Sequence, residues 1–166
     1  MEIGLVATIY IDNDKTYQQA IETLDCVVSK YPLKLYARVT KLDEKHKDIL
    51  NRFDKVTKNK QNILAKSWNE GIKQALKDGC EYVIIPNLDI KLYDYTIDNL
   101  VDFAKDDDSV IWSGRCTNTG ANYPDDNFIV NSKLVYDSFA FFIVNDRLFK
   151  EVGEFDEKFI PSEAIR

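Results

Sequence analysis

Asn87, Leu88 and Asp89 follow directly on the apolar run Glu81–Pro86 (EYVIIP). Residues two apart in an extended segment project to the same side, so Asn87 and Asp89 can present two oxygens together. Oxygen ligands of this kind suit Mg²⁺ or Mn²⁺, which keep several waters and bridge substrate phosphates. A cation held in this way stabilises negative charge on a departing diphosphate. The same triplet also suits a plain turn, because Asn and Asp are common turn formers. Charge supplies the context. The chain carries a net charge of −6, with acidic and basic residues mixed along most of its length. Such a surface does not coat a phosphate backbone, so nucleic acid is not an expected partner. A protein of this charge that handles a nucleotide must neutralise the phosphates locally, and a divalent cation is one means.

Other reactive residues are sparse. Cys26, Cys80 and Cys116 are widely spaced and form no CxxC pair, and His46 is the single histidine. That spacing does not make a zinc site, and free thiols in a reducing compartment are the expectation. No apolar run approaches the length of a membrane span, and the opening residues lack a basic-then-apolar secretory pattern. A cytoplasmic location is therefore expected. The 166 residues, 45% hydrophobic and 30% charged, suit one globular domain.

The elements that must position the triplet follow an alternating order. Ile3–Ile11 (IGLVATIYI) is apolar and β-branched and ends at Asp12-Asn13-Asp14, which predicts a buried strand and a turn. Thr16 and Gln19 have the spacing of a capping box. Tyr17, Ala20, Ile21, Leu24, Val27, Val28 and Tyr31 then recur at helical spacing up to Pro32. Leu33–Thr40 alternates as a strand, Asp43–Phe53 is charged and helical, and Lys55–Thr57 is a weak strand. Leu64, Ala65, Trp68, Ile72, Ala75 and Leu76 mark a helix stopped by Gly79. Trp68 reads as core on that pattern, with a ligand platform as the alternative. After the strand at Glu81–Pro86 come a helix over Tyr95–Lys105 and a strand at Val110–Ser113. Gly114–Asn131 is polar and rich in turn residues, a candidate lid or acceptor-side loop. Tyr136–Val144 is apolar again, and Asn145–Val152 has the look of a short helix.

Strands alternating with helices predict an α/β fold, a mostly parallel sheet with helices on both faces. Ligands of such sheets bind beyond the carboxyl ends of the strands. Asp12–Asp14, Asp43–Glu44 and Asn87–Asp89 would all lie on that edge.

Three segments taken in order resemble the family-2 glycosyltransferases, whose Rossmann-like GT-A fold binds nucleotide-diphosphate sugars. Ala65, Asn69 and Gly71 match a helix of the A-x-x-x-N-x-G type, without the Gly usual near position 63 or 64. Asn87 and Asp89 match a strand ending in D-x-D or its N-x-D variant. Gly153, Phe155, Asp156, Glu157 and Phe159 match a GxFDExF segment that follows an apolar strand and a short helix. The likeness runs over about residues 3–160.

The resemblance implies a role for each matching position. Asp89, with Asn87, would hold Mn²⁺ or Mg²⁺ on the donor diphosphate, with Leu88 alongside. Thr8 and Tyr10 sit where the family packs its PxYN segment near the base, although Ala7 replaces the Pro and Ile11 the Asn. Asp43 stands for an acidic residue that contacts the base or ribose; a solvated helix start accounts for it as well. Lys66 and Asn69 would lie near the nucleotide, and an exposed helix face is an equal account of Lys66. Asp156 and Glu157 would lie on the acceptor side. The family's following acidic pair is missing, and Glu163 is the one carboxylate left to serve as general base.

The resemblance thus implies an inverting, metal-dependent hexosyltransferase-like enzyme that moves a sugar, UDP-linked by family habit, to a hydroxyl of a carbohydrate or glycoconjugate. The expected organisation is one nucleotide-sugar-binding domain over residues 1–166, short of the acceptor elements. A nucleotide-sugar-binding module with little transfer is the alternative. A nucleotidyltransferase is disfavoured because no Gly-rich phosphate loop follows the first strand, and a dehydrogenase because no GxGxxG does.

Overall fold

β1 (Ile3–Ile11) runs through the middle of the molecule, and all its residues except Thr8 and Tyr10 are buried. The computed structural model describes residues 1–114 and 140–158. β2 (Leu33–Leu42) and β3 (Lys55–Lys58) extend the sheet to one side of β1, each parallel to its neighbour. β4 (Tyr82–Pro86) lies on the other side of β1, also parallel. β6 (Phe141–Asn145) then pairs antiparallel with β4, and β5 (Ile111–Ser113) pairs antiparallel with β6 at the edge. The strand order is β3-β2-β1-β4-β6-β5. The expected mostly parallel α/β sheet is therefore present, with one reversed strand.

Helices cover both faces because β1 is apolar on both. Leu5, Ala7, Ile9 and Ile11 pack with Ala20 and Leu24 of α1 (Asp14–Asp25) and with Ile49 of a 3-10 helix, Glu44–Arg52. On that same face Ile84 and Ile143 meet Ile97, Val101 and Ala104 of α3 (Thr96–Lys105). Val6 points the other way, into Ile72 and Ala75 of α2 (Leu64–Lys77) and Leu148 of α4 (Arg147–Glu151). α2 lies very close to β1. A Cβ on Gly71 would stand 2.3 Å from Cγ1 of Val6, so only glycine fits there.

Helix boundaries follow local hydrogen bonds more than apolar spacing. The N-cap of α1 is Asn13, whose side chain accepts from the Thr16 N–H at 2.9 Å while Thr16 Oγ1 faces the Asn13 N–H at 3.3 Å. The capping box is thus Asn13 with Thr16, three residues earlier than the expected Thr16 with Gln19. At its far end the apolar period runs on through Val27, Val28 and Tyr31, yet α1 stops at Asp25. Asp98 of α3 draws the following chain away, accepting from Ser29 Oγ at 2.5 Å and from the Lys30 N–H at 3.1 Å. α2 ends as predicted at Gly79, whose φ of +97° suits glycine. The Cys80 N–H reaches the Ala75 carbonyl and the Gly79 N–H the Leu76 carbonyl, both at 3.1 Å, a Schellman ending.

Candidate functional site

The carboxyl ends of β1 and β4 are where the strand order reverses, since β1 leads outward to β2 while β4 starts the opposite half. In open α/β sheets that reversal leaves a crevice between the diverging connections. Here it is a cleft of about 280 Å³. β1 supplies Thr8, Tyr10 and Ile11, and the segment after β4 supplies Asn87, Leu88 and Asp89. The two helices close the sides, α1 through Thr16 and Gln19, α2 through Leu64 and Trp68. Five residues singled out from the sequence therefore meet in one place: Thr8, Tyr10, Asn87, Leu88 and Asp89.

Carboxylates follow β1, β2 and β4 along this edge, but most are committed. Asp12 accepts from the Asn13 amide at 2.8 Å, and Asp14 from Lys45 at 2.6 Å. Asp14 also meets His46 Nε2 at 2.9 Å, and its carboxyl is held below the ordinary carboxylate range, first by the Lys45 bond and then by His46. Glu44 is paired with Lys47, and Asp43 stands 4.0 Å from His46 Nδ1. Asp89 is exposed and has no hydrogen bond or ion pair among the described residues. No described residue lining the cleft is a lysine or arginine. Lys41 has its Nζ 5.5 Å from the centroid of the Tyr10 ring.

These observations bear on a metal. Among the described residues no three His, Cys, Asp or Glu side chains converge on a point, so a closed structural site is not formed. What remains is one free carboxylate with an exposed amide two residues before it. That donor set fits a hard cation that keeps open positions for waters and phosphate oxygens.

The remaining predicted residues lie outside the cleft lining. Asn69 is completely buried, and its amide bonds to Phe155 and Glu157. Its side chain is thus bonded within the protein, on the helix that lines the cleft through Leu64 and Trp68. Lys66 is half-buried on α2, and Asp43 caps no amide of the 3-10 helix that follows it. Asp156 is exposed, with Oδ1 accepting the Lys158 N–H at 2.9 Å. Glu163, Phe159, Cys116 and the loop beyond Gly114 lie outside the described residues.

Sequence reasoning ranked Trp68 as core ahead of ligand platform and missed Gln19 and Leu64 as wall residues. Trp68 is core and wall at once, packed edge-on against Phe142 and Phe155 at 5.2 and 5.3 Å while lining the cleft. Gln19 lines the cleft instead of capping α1. Beneath α2 a polar seam was also unforeseen: Asn59 Nδ2 donates to Thr40 Oγ1 at 2.9 Å and to Ser67 Oγ at 2.6 Å. Arg38 lies within the seam, paired with Glu70, and its Nε and the Thr8 Oγ1 are buried without a partner. Strand polarity was the available signal, because Thr8, Arg38 and Thr40 all occupy α2-facing positions.

No family model matches the sequence, and no curated protein matches it. Solved structures do. S. aureus TarS 1-349 superposes with a TM-score of 0.69 at 17% identity, covering 95% of this chain and 51% of TarS 1-349. The fold is GT-A-like, that of nucleotide-sugar transferases. The chain spans about half the length of TarS 1-349, at the 51% just given. TarS has also been solved with UDP and with UDP-GlcNAc. The Pyrobaculum calidifontis mannosyltransferase PcManGT, solved with GDP-Man and Mn²⁺, shares the GT-A-like sheet at a TM-score of 0.58 and 12% identity. It covers 93% of this chain and 47% of PcManGT. The 4-diphosphocytidyl-2C-methyl-D-erythritol synthase of Anaerococcus prevotii matches at 0.56 and 19% identity, over 97% of this chain and 76% of that one. The GT-A-like scaffold is thus common to this synthase and the mannosyltransferase.

Proposed function

We propose that the chain is a glycosyltransferase domain that binds a nucleotide-diphosphate sugar at the β1–β4 cleft and passes the sugar to an acceptor hydroxyl with inversion. One observation carries this: the uncommitted Asp89 carboxylate opens onto a cleft lined by no described cation. A diphosphate placed beside Asp89 without a counter-cation would meet like charge in a partly desolvated site. With Mn²⁺ or Mg²⁺ held by Asp89 and Asn87, the same carboxylate becomes an attraction. The cation, when bound, supplies stabilisation of the diphosphate leaving group.

The chain's own residues do the rest. Tyr10 and Thr8 line the wall where a base and ribose would rest, with UDP the favoured nucleotide because the TarS structures hold UDP and UDP-GlcNAc. Trp68 closes the opposite wall. Behind Trp68, Phe155 leads into Asp156 and Glu157. Inverting transfer needs a carboxylate to take the acceptor's proton as its oxygen attacks the anomeric carbon and the nucleoside diphosphate departs. Asp156, Glu157 and Glu163 are the candidates for that task, and Glu157 already accepts from Asn69 at 3.1 Å.

Titration calorimetry of UDP and GDP, with and without Mn²⁺, on the wild type and Asp89→Ala tests the donor site. Manganese-dependent binding of one diphosphate, lost in the variant, is expected. No nucleotide binding under any condition would sink the reading.

Nucleotidyl transfer is the second reading, favoured by the Anaerococcus synthase's shared fold. Only Asp12 and Asn13 separate β1 from α1, and Asn13 is occupied in capping, which leaves little loop to cradle a triphosphate. Products separate the two: sugar transfer releases a nucleoside diphosphate, nucleotidyl transfer releases pyrophosphate.

A further inference from the structure

Seven tyrosines fall within the described residues, and four of them are engaged. Tyr17 donates to Asp48 and Tyr36 to Asp78, at 2.7 and 2.9 Å; Tyr31 donates to Asp102, and Tyr82 packs against Trp112. The exposed ones are Tyr10, Tyr93 and Tyr95, all at the carboxyl edge of the sheet. Tyr93 and Tyr95 form a unit: their rings are 5° from parallel, with centroids 5.7 Å apart. They are 50% and 46% exposed, and neither hydroxyl has a partner among the described residues.

Paired, half-exposed aromatic rings held in one orientation offer a ready contact surface for a ligand. This pair is fixed. Upstream, Thr23 is buried and donates to the Ile90 carbonyl at 2.6 Å. Leu92 is anchored in the core with Ile97 and Val101, and the Tyr93 N–H donates to Thr96 Oγ1 at 3.1 Å. The backbone carrying both rings is therefore ordered before anything binds, which lowers the entropic cost of recognition. It also starts at Asp89: Tyr93 follows four positions on, at most about 14 Å along the chain.

We propose that Tyr93 and Tyr95 form a stacking platform for a neutral pyranose ring of the acceptor, a step that rests on the transferase reading above. An aromatic face is electron-rich and attracts partial positive charge. The axial C–H bonds on one face of a pyranose carry such charge, while its rim of hydroxyls needs hydrogen-bonding groups. The free phenol hydroxyls supply these, and Lys91 and Asp94 are exposed in the same segment of chain. The charges of Lys91 and Asp94 cancel, so the patch suits an uncharged sugar and not a phosphate or a polyanion. A platform beside Asp89 holds the acceptor while the donor occupies the cleft.

Saturation-transfer NMR with chitotetraose, maltotetraose, cellotetraose and mannotetraose tests the platform, because stacking discriminates weakly among hexoses. The wild type is expected to saturate the ring protons of at least one. Its affinity should fall about tenfold in Tyr93→Ala/Tyr95→Ala and largely survive in Tyr93→Phe/Tyr95→Phe. UDP or GDP titration on the same variants provides the control and should be unchanged. No saturation of any of the four sugars, or saturation that survives the double alanine, overturns the proposal. Nucleotide binding without tyrosine-dependent sugar binding sinks the platform alone. Tyrosine-dependent sugar binding without nucleotide binding keeps the platform and sinks the transferase reading.

Discussion

Asn69 closes on Phe155 with both ends of its amide: Nδ2 donates to the Phe155 carbonyl and Oδ1 accepts the Phe155 N–H, each at 2.9 Å. The side chain thereby imitates one rung of a β-ladder, and a further bond from Nδ2 reaches Glu157 Oε1 at 3.1 Å. Two segments 86 residues apart in sequence are tied at the place where α2 forms the cleft wall. Asn69→Ala strands a buried N–H and C=O as well as removing the bonds. About 3 kcal/mol of stability should be lost, measured by urea denaturation. Asn69→Asp keeps the acceptor for the Phe155 N–H but sets a buried carboxylate against the Phe155 carbonyl and Glu157, so at pH 7 it should lose at least as much; a clearly smaller loss than in Asn69→Ala would show that the Nδ2 bonds are not what hold the segment.

Gly71 and Val6 make a second test of how α2 seats on β1. Gly71→Ala puts a methyl 2.3 Å from Val6 Cγ1. Overpacking of this sort costs about 1–3 kcal/mol. Val6→Ala alone opens a cavity, yet in the Gly71→Ala background it should relieve the clash. The double variant is therefore expected to be more stable than the sum of the two single losses predicts. Simple additivity in thermal or urea unfolding would count against direct contact.

Acid should loosen the sheet edge through Asp78. Its pKa is lowered to about 2, chiefly by the Lys55 bond, with Tyr36 and Gln74 adding and burial opposing. The native pKa lies below the unfolded value, so the unfolded chain binds the proton first. The stabilisation is complete above about pH 4 and disappears as pH falls through about 2. Asp78→Asn should lower the melting temperature at pH 7 and converge with the wild type near pH 2. A constant gap across that range would refute the assignment.

At α1 the cap is open to a direct check. Asn13→Ala removes the acceptor for the Thr16 N–H and should cost about 1 kcal/mol. Gln19→Ala should cost much less in stability, because Gln19 faces the cleft. The reverse ranking in melting temperature would restore the sequence-based cap at Thr16.

Much of this architecture was readable from residue order. Ile3–Ile11 and Glu81–Pro86 are short, apolar and bounded by turn formers, so strands and their polar ends stood out. With alternating helices that is enough to place Asn87 and Asp89 on the ligand edge of a parallel sheet. Gly79 as a helix stop was equally plain, since few other residues adopt its positive φ. Local chemistry determined these features, and tertiary packing left them unchanged.

Where two distant segments compete for one group, sequence alone offers no ranking. The apolar period through Val27 and Tyr31 predicted a longer α1, but Asp98, some 70 residues on, captures Ser29 and Lys30. Asn69 has the same side chain whether it reads a ligand or clamps a backbone, and only the arrival of Phe155 makes it a clamp. Among the carboxylates following β1, β2 and β4, Asp12, Asp14, Asp43, Glu44 and Asp89 have similar intrinsic chemistry. Only the folded chain determines which of them already have neighbours, and it leaves Asp89 free at the cleft because pairing depends on distances that sequence does not contain.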